Sequence, residues 1–292
     1  MGVVGVLVTG ALPAVVRAVA PALACGNVVV LVPDPDAPLG ALVLAEAGAE
    51  AGLPEGVLNV LPAGVLSGDV DAVAVTGPPA FCRDAARLAP GRPFHRRATG
   101  GLVQVVHDDA PLDQAVDGIA EALGGDQRVL VAESVADELA ELLRELLARL
   151  RVGDPLDHNT DLGPLASPQQ RDRAVALAAA ADDEGARRWT GPAPLPEHGW
   201  FLAPTVFTDV APTMRIAREE IAGPLLPVLT FRTPAEAVAT AGAPRAAAVW
   251  TDKGSRALWT AQRLRAGVTW VNAVGRWDPA VPAAALADHL VF

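Results

Sequence analysis

The sequence predicts an α/β protein in which mostly parallel sheets are covered by helices on both faces. The chain has 292 residues, of which 51% are hydrophobic, so it can form a large core and is too apolar for intrinsic disorder. Short runs rich in β-branched residues alternate with Ala- and Leu-rich segments of helical spacing. Gly and Pro stand at the ends of these segments. Strands that alternate with helices in this way are parallel and are joined by helical crossovers.

In the first part of the chain, the pattern predicts strand, helix, strand, helix and two further strands. Pro13 occupies a favourable first helical position, and Gly26 and Gly52 stand where the two helices end. The last of these strands leads into the dipeptide Thr76–Gly77. The predicted elements, in chain order, are 3–8, 13–24, 27–32, 39–51, 57–61 and 71–75.

The second part begins with a helix and a strand and then contains a long Leu-rich helix. Ser134 is predicted to cap this long helix, and Ser167 to cap the next one, which reaches about Asp182. The other predicted elements are helices 111–123, 234–241 and 254–266 and strands 128–132, 203–207, 225–231, 246–251 and 268–271. We predict a Rossmann-like domain over 1–124, a second α/β lobe over 125–275 and a tail over 276–292.

Composition excludes several classes of protein. The net charge is −11 and no basic cluster stands out, so we expect no nucleic-acid partner. Two cysteines, Cys25 and Cys82, are too few for a disulfide framework, and no metal site is predicted. Gly and Pro interrupt every long apolar stretch, and the first residues lack a basic region typical of signal peptides. We therefore expect a cytoplasmic protein without a membrane partner.

Seven segments occur in an order that resembles the NAD(P)-dependent aldehyde dehydrogenases. They are 20–30, 47–60, 150–157, 161–165, 203–210, 214–229 and 264–272. The resemblance extends from about Gly2 to Asn272 and implies two three-layer α/β/α lobes with mostly parallel sheets. Most of the matching residues are glycines of loops and apolar residues of a core, so they indicate the fold more than the chemistry.

The resemblance also implies a reaction, whose nucleophile is a cysteine on a loop after a helix. The corresponding segment here, 115–128, contains no Cys, Ser or Thr and is shorter by about two helical turns. Cys25 and Cys82 are interpreted as small buried residues, although a relocated nucleophile stays open.

Two further groups of the family's reaction are replaced. Ala11 stands where the family has the asparagine that donates to the oxyanion, and alanine has no donor. Arg97 or Ala98 stands at the position of the glutamate that activates water, and neither can act as that base. No catalytic residue is therefore assigned.

The cofactor positions are also changed. Val32 replaces the lysine that the family places on the adenosine ribose, and Pro78 and Pro79 remove two N–H groups after Thr76–Gly77. Glu220 matches the glutamate that holds the nicotinamide ribose, although Ala222 replaces a nearby aromatic residue. Gly77 and Glu220 are thus the candidate cofactor residues, interpreted as vestigial. No cofactor is expected, and NAD(P) is the only candidate.

Three functions are compatible with these observations. The first is a non-catalytic structural or regulatory subunit that associates with itself or with an active aldehyde dehydrogenase paralogue. The second is an aldehyde dehydrogenase-type oxidoreductase that is active only with a partner or through relocated residues. The third is a small-molecule or nucleotide binder without turnover. We predict the first, because the four changes lie far apart and affect separate roles.

Overall fold

The computed structural model describes residues 2–10, 12–62, 66 and 69–276. The chain forms two compact units, the first ending at Thr99 and the second beginning at Gly100. The division therefore lies earlier than the predicted one after residue 124, because residues 102–121 pair and pack within the second unit. Of the predicted tail 276–292, only Arg276 is among the described residues.

The first unit is a five-stranded parallel sheet with the strand order β3-β2-β1-β4-β5. Its strands are β1 (Val3–Val8), β2 (Val28–Val32), β3 (Leu58–Val60), β4 (Ala72–Gly77) and β5 (Phe94–Ala98). Its helices are α1 (Leu12–Ala24), α2 (Leu39–Glu50) and α3 (Pro79–Ala85), followed by a 3-10 turn over Ala86–Leu88.

Both faces of this sheet are covered, as the alternation of side chains along β1 shows. Val6 and Val8 pack with Val15 and Val19 of α1 on one face. Leu7 packs on the other face in the cluster that contains Cys82 and Ala85 of α3. Successive side chains of a strand point to opposite faces, so one apolar strand supplies both cores.

The second unit is a seven-stranded sheet with the order β12-β11-β6-β7-β10-β9-β8, in which only β8 and β9 pair antiparallel. Its strands are β6 (Leu102–Val106), β7 (Gln127–Ala132), β8 (Arg187–Thr190), β9 (Thr205–Thr208), β10 (Leu225–Phe231), β11 (Ala246–Trp250) and β12 (Val268–Val271). Its helices are α4 (Leu112–Glu121), α5 (Ala136–Arg149), α6 (Pro168–Asp183), α7 (Arg215–Arg218), α8 (Pro234–Ala241) and α9 (Gly254–Arg263), with a 3-10 turn over Glu133–Val135.

Two apolar cores flank this sheet as well. Ile119 of α4 and Leu143 of α5 belong to the core on one face. Leu177 of α6 and Ala237 of α8 belong to the core on the other face. The predicted class, α/β with mostly parallel sheets that are covered on both faces, is confirmed.

Of the two predicted helix caps, one is confirmed and one is wrong. Ser167 caps α6 as predicted, with its Oγ accepting a hydrogen bond from the Gln170 amide at 3.3 Å. Ser134 does not cap α5, because the helix begins at Ala136 after a 3-10 turn and Val135 holds the cap position without a side-chain bond. Helix α9 ends at Arg263 rather than 266, and the strands β5, β6 and β8 were not predicted.

Candidate functional site

The carboxyl edge of the first sheet has the geometry at which α/β proteins bind ligands. Strand β1 lies between β2 and β4, so the chain leaves β1 toward one side and returns on the other. Such a switch point opens a crevice outside the carboxyl ends of the two strands. The Thr9 amide donates to the Thr76 carbonyl at 2.9 Å here, which joins the ends of β1 and β4.

Gly77, a predicted cofactor residue, ends β4 at this edge. It is buried, and a Cβ added to it would lie 2.6 Å from both Phe81 Cδ1 and Thr9 Oγ1. Helix α3 follows with Pro78 at its cap and Pro79 inside its first turn, so two backbone donors are absent. The space beside Gly77 is therefore occupied by the side chains of Phe81 and Thr9.

The position of the family's general base lies on the neighbouring strand β5. Arg97 is half-buried, and burial, with a smaller contribution from the charge of Arg17, lowers the pKa of its guanidinium. Arginine is nevertheless cationic in proteins and donates only, so it cannot take a proton from water. Ala98 has no polar side-chain atom, and Ala11, the predicted replacement for the oxyanion donor, lies outside the described residues.

The two cysteines occupy unlike environments. Cys82 is completely buried, and its Sγ donates to the Gly77 carbonyl at 3.4 Å. Cys25 is exposed, contrary to the prediction that it is buried. It follows α1 and precedes β2, which places it at the amino edge of the sheet, opposite to Gly77. Neither thiol therefore meets an open crevice at the carboxyl edge of this unit.

In the second unit, the shortened connection between α4 and β7 comprises residues 122–126. Buried amides hold the chain on both sides of it. Gln104 Nε2 donates to Gln127 Oε1 at 2.8 Å and to the Gly118 carbonyl at 3.3 Å. Gln127 Nε2 donates to the Ile119 carbonyl at 3.0 Å. These bonds fix the helix and the strand that flank the connection, while Gly124 and Gly125 within it are exposed.

Asp126, the last residue of this connection, accepts hydrogen bonds from two other segments. Its Oδ2 accepts from the Gly101 amide at 2.8 Å, and its Oδ1 accepts from the Ile221 amide at 3.2 Å. Arg128 pairs with Oδ1 at 3.2 Å. The starts of β6 and β7 and the segment before β10 are thereby joined at one edge of the second sheet.

Glu220, the other predicted cofactor residue, lies in that segment, between α7 and β10. The residue is exposed. Partial burial of its carboxyl and the charge of Asp126 raise its pKa, while Arg245, Arg128 and Arg173 act in the opposite direction. It is a carboxylate that solvent can reach and that basic side chains surround, an arrangement suited to accepting hydrogen bonds from hydroxyl groups.

Sequence reasoning did not identify Asp126, Arg128 or Arg245 as parts of this edge. Arg245 donates to the Gly100 carbonyl at 3.2 Å across 145 residues of sequence. One signal in the sequence could have identified Asp126. It directly precedes β7, a central strand, and a carboxylate at such a position needs hydrogen-bond donors.

The described residues lack two features, a membrane-spanning helix and a cluster of metal ligands. No helix among them is long and apolar enough to cross a membrane. No three histidine, cysteine or acidic side chains among them are grouped so that they could hold a metal ion.

Comparison with known proteins relates the whole described chain to one family. The profile of the aldehyde dehydrogenase family matches residues 1–284. The chain is 37% identical over 276 residues to betaine aldehyde dehydrogenase of Rhizobium johnstonii, covering 87% of this chain and 57% of that protein. The same identity and coverage relate it to betaine aldehyde dehydrogenase of Sinorhizobium fredii. The chain thus spans little more than half the length of these relatives.

A solved structure agrees with the sequence comparison. The crystal structure of indole-3-acetaldehyde dehydrogenase with NAD+ matches with a TM-score of 0.88 and 37% identity, over 95% of this chain and 61% of that one.

These findings overturn the prediction of a non-catalytic subunit, because the relatives reported above are named as dehydrogenases. The alternative of an oxidoreductase agrees better with them. The family profile, the identity and the shared fold together show that the chain belongs to the aldehyde dehydrogenase family.

Proposed function

We propose that the chain takes part in NAD(P)-dependent oxidation of an aldehyde, with the nucleophile supplied by a partner chain or by a residue outside the family's usual position. The observation that carries the proposal is the 37% identity over 276 residues to a betaine aldehyde dehydrogenase. Such identity across both units supports a shared reaction more strongly than a shared fold alone would.

NAD(P) is the cofactor that the proposal requires, and the residues present fit it only in part. Within the first unit, the switch point of the sheet is a feature typical of dinucleotide-binding proteins. Within the second unit, the exposed carboxylate of Glu220 can accept hydrogen bonds from the hydroxyl groups of a ribose. Val32 offers no donor, and Pro78 and Pro79 provide no backbone N–H for a pyrophosphate. Glu220 is therefore proposed to have a binding role.

The source of the nucleophile follows from the placement of the candidate groups. The connection 122–126 contains neither thiol nor hydroxyl, and Cys82 is buried. Cys25 is reachable but lies at the amino edge of its sheet. A nucleophile from a partner chain is the simpler solution, since thiolate chemistry requires both access and an oriented carbonyl.

The partner is either a second copy of this chain or an intact aldehyde dehydrogenase. Support comes from apolar side chains on the outer surfaces of α1 and α2, which pack together. Leu39 is 72% exposed and Val43 54% exposed, and Leu12 and Val16 are also exposed. Exposed apolar residues at this density are typical of surfaces that another chain covers.

The test measures NADH formation from betaine aldehyde and from indole-3-acetaldehyde. The purified chain is assayed alone and with a limiting amount of a full-length betaine aldehyde dehydrogenase. We expect no turnover by the chain alone and a rate in the mixture that rises above the rate of the partner alone as the chain is added. The Glu220→Gln variant is the matched control and should produce a smaller rise.

Two results separate the versions of the proposal. Turnover by the chain alone that is lost in Cys25→Ser would place the nucleophile in this chain. The absence of turnover in every combination, together with the absence of thermal stabilisation by NAD+ or NADP+, would contradict the proposal.

A further inference from the structure

The loop between α7 and β10 carries Glu220, and within this loop the side chain of Ile221 is buried in the core. Helix α7 has only four residues, and Gly223 follows with a φ of +152°. The backbone on either side of the carboxylate is also held by side chains from elsewhere in the fold.

Those contacts come from β7 and from the residue that precedes it. Arg128 Nε donates to the Ala217 carbonyl at 2.7 Å, and its guanidinium also donates to the Glu219 carbonyl. Asp126 Oδ1 accepts the Ile221 amide at 3.2 Å. The residues immediately before and after Glu220 are thus bound through their backbones, one to Arg128 and the other to Asp126.

Asp126 is itself held rigidly. Its other oxygen accepts the Gly101 amide at 2.8 Å, and the Asp126 and Arg128 side chains are 10% and 15% exposed. A Cβ on Gly100 would lie 2.9 Å from Asp126 Oδ2, so the absence of a side chain at Gly100 makes room for the carboxylate. Charged hydrogen bonds in a partly buried site are stronger than neutral ones and orient what they bind.

We propose that Asp126 is a positioning residue for cofactor binding: by clamping the Ile221 amide to the start of β6, it sets where the Glu220 carboxylate points. The inference rests on the proposed function for the role of Glu220. In this proposal the last residue of the shortened connection, Asp126, orients the carboxylate of Glu220 and does not present a nucleophile.

Electrostatics adds a measurable signature. Glu220 is faced by Asp126, by Arg128 of β7, by Arg173 of α6 and by Arg245 before β11. Burial and then the charge of Asp126 raise the pKa of Glu220. Removal of the charge at Asp126 should therefore lower that pKa, which a purely structural role at a distance would not do.

The experiment compares Asp126→Asn with Asp161→Asn. Asp161 is a matched control, because its carboxylate accepts the Arg151 amide at 2.8 Å in a loop of the same unit. The dissociation constant of NAD+ is measured by calorimetry, and the carboxyl pKa of Glu220 by NMR on the ligand-free chain. Asp126→Asn should weaken NAD+ binding about tenfold and lower the Glu220 pKa, whereas Asp161→Asn should change neither.

A double-mutant cycle separates positioning from general loss of stability. In the Glu220→Gln background, Asp126→Asn should weaken NAD+ binding by much less than in the unchanged chain, although the melting temperature still falls. Equal weakening in both backgrounds, or an unchanged Glu220 pKa, would overturn the inference.

Failure of the proposed function gives a different result. In that case NAD+ would not bind to the unchanged chain, while the pKa measurement would still report whether Asp126 holds Glu220. Binding that Glu220→Gln weakens and Asp126→Asn leaves unchanged would overturn the positioning role alone.

Discussion

Trp250 Nε1 donates a hydrogen bond to Gln104 Oε1 at 2.9 Å, and both side chains are almost completely buried. The bond joins the end of β11 to the middle of β6 and completes the amide network that holds α4 beside the shortened connection. The packing around that connection therefore depends on polar groups that have no access to water, and such groups are costly to leave without a partner.

Trp250→Phe should lower the free energy of unfolding by about 2 kcal/mol or more, because the Gln104 oxygen loses its donor and a cavity forms. Urea denaturation followed by circular dichroism measures the change. Trp200→Phe is the control, since Trp200 is 40% exposed and its loss should have little effect. Equal changes in the two variants would show that the network does not stabilise the fold.

Gly118→Ala should destabilise the chain by about 1–3 kcal/mol despite the higher helix propensity of alanine. The added Cβ would lie 2.4 Å from Trp250 Cζ2 and 2.6 Å from Cη2. Since the smaller ring of Trp250→Phe makes room, the cost should be lower in that background. Gly48→Ala in α2 is the control, because its Cβ meets only Leu53, at 3.4 Å, and should not destabilise. A cost of Gly118→Ala that is the same with Trp or Phe at position 250 would argue against the contact.

His107 should make stability depend on pH. Burial and the charge of Arg256 lower its pKa from 6.5 to about 4, although Asp109 and Asp108 oppose the shift. The unfolded chain then binds a proton that the folded chain does not. Stability is therefore complete above about pH 6.5 and declines as the pH falls toward 4, by up to about 3 kcal/mol.

The measurement is the free energy of unfolding at about pH 7.5 and about pH 5. His107→Gln keeps a donor near Thr260, which lies 3.1 Å from His107 Nε2, and should lose much of the difference between the two pH values. His158→Gln, at an exposed histidine, serves as the control for loss of any imidazole. If the free energy of unfolding of His107→Gln depends on pH as strongly as that of the unchanged chain, then groups other than His107 cause the dependence.

Ser167→Ala should cost about 1 kcal/mol of stability, because the Gln170 amide at the start of α6 loses its acceptor. Ser134→Ala is a close control: the same substitution before another helix, at an exposed serine that does not cap it. Thermal or urea unfolding of the two variants should differ by that amount. Indistinguishable variants would mean that the Ser167 bond contributes nothing to stability.

Prediction from sequence was most accurate where the signal is local. Strands β10 and β12 and helix α8 have the predicted bounds, since each is a short apolar run between clear turn residues. It was less accurate at Ser134, where the chain forms a 3-10 turn before the helix, and at the boundary after residue 124. That boundary depends on which strands pair, and pairing is not visible in a local pattern.

The order of apolar and polar residues by itself determined the alternation of strands and helices and the covered parallel sheets. The identity of residues 122–126 by itself determined that the connection has neither a thiol nor a hydroxyl group. Only the tertiary structure decided what that connection does. Asp126 and Ile221 are 95 positions apart, and they meet because β7 and β10 are neighbours in one sheet. Contacts of this kind follow from strand register, which depends on how all seven strands pack together and not on the residues near either partner.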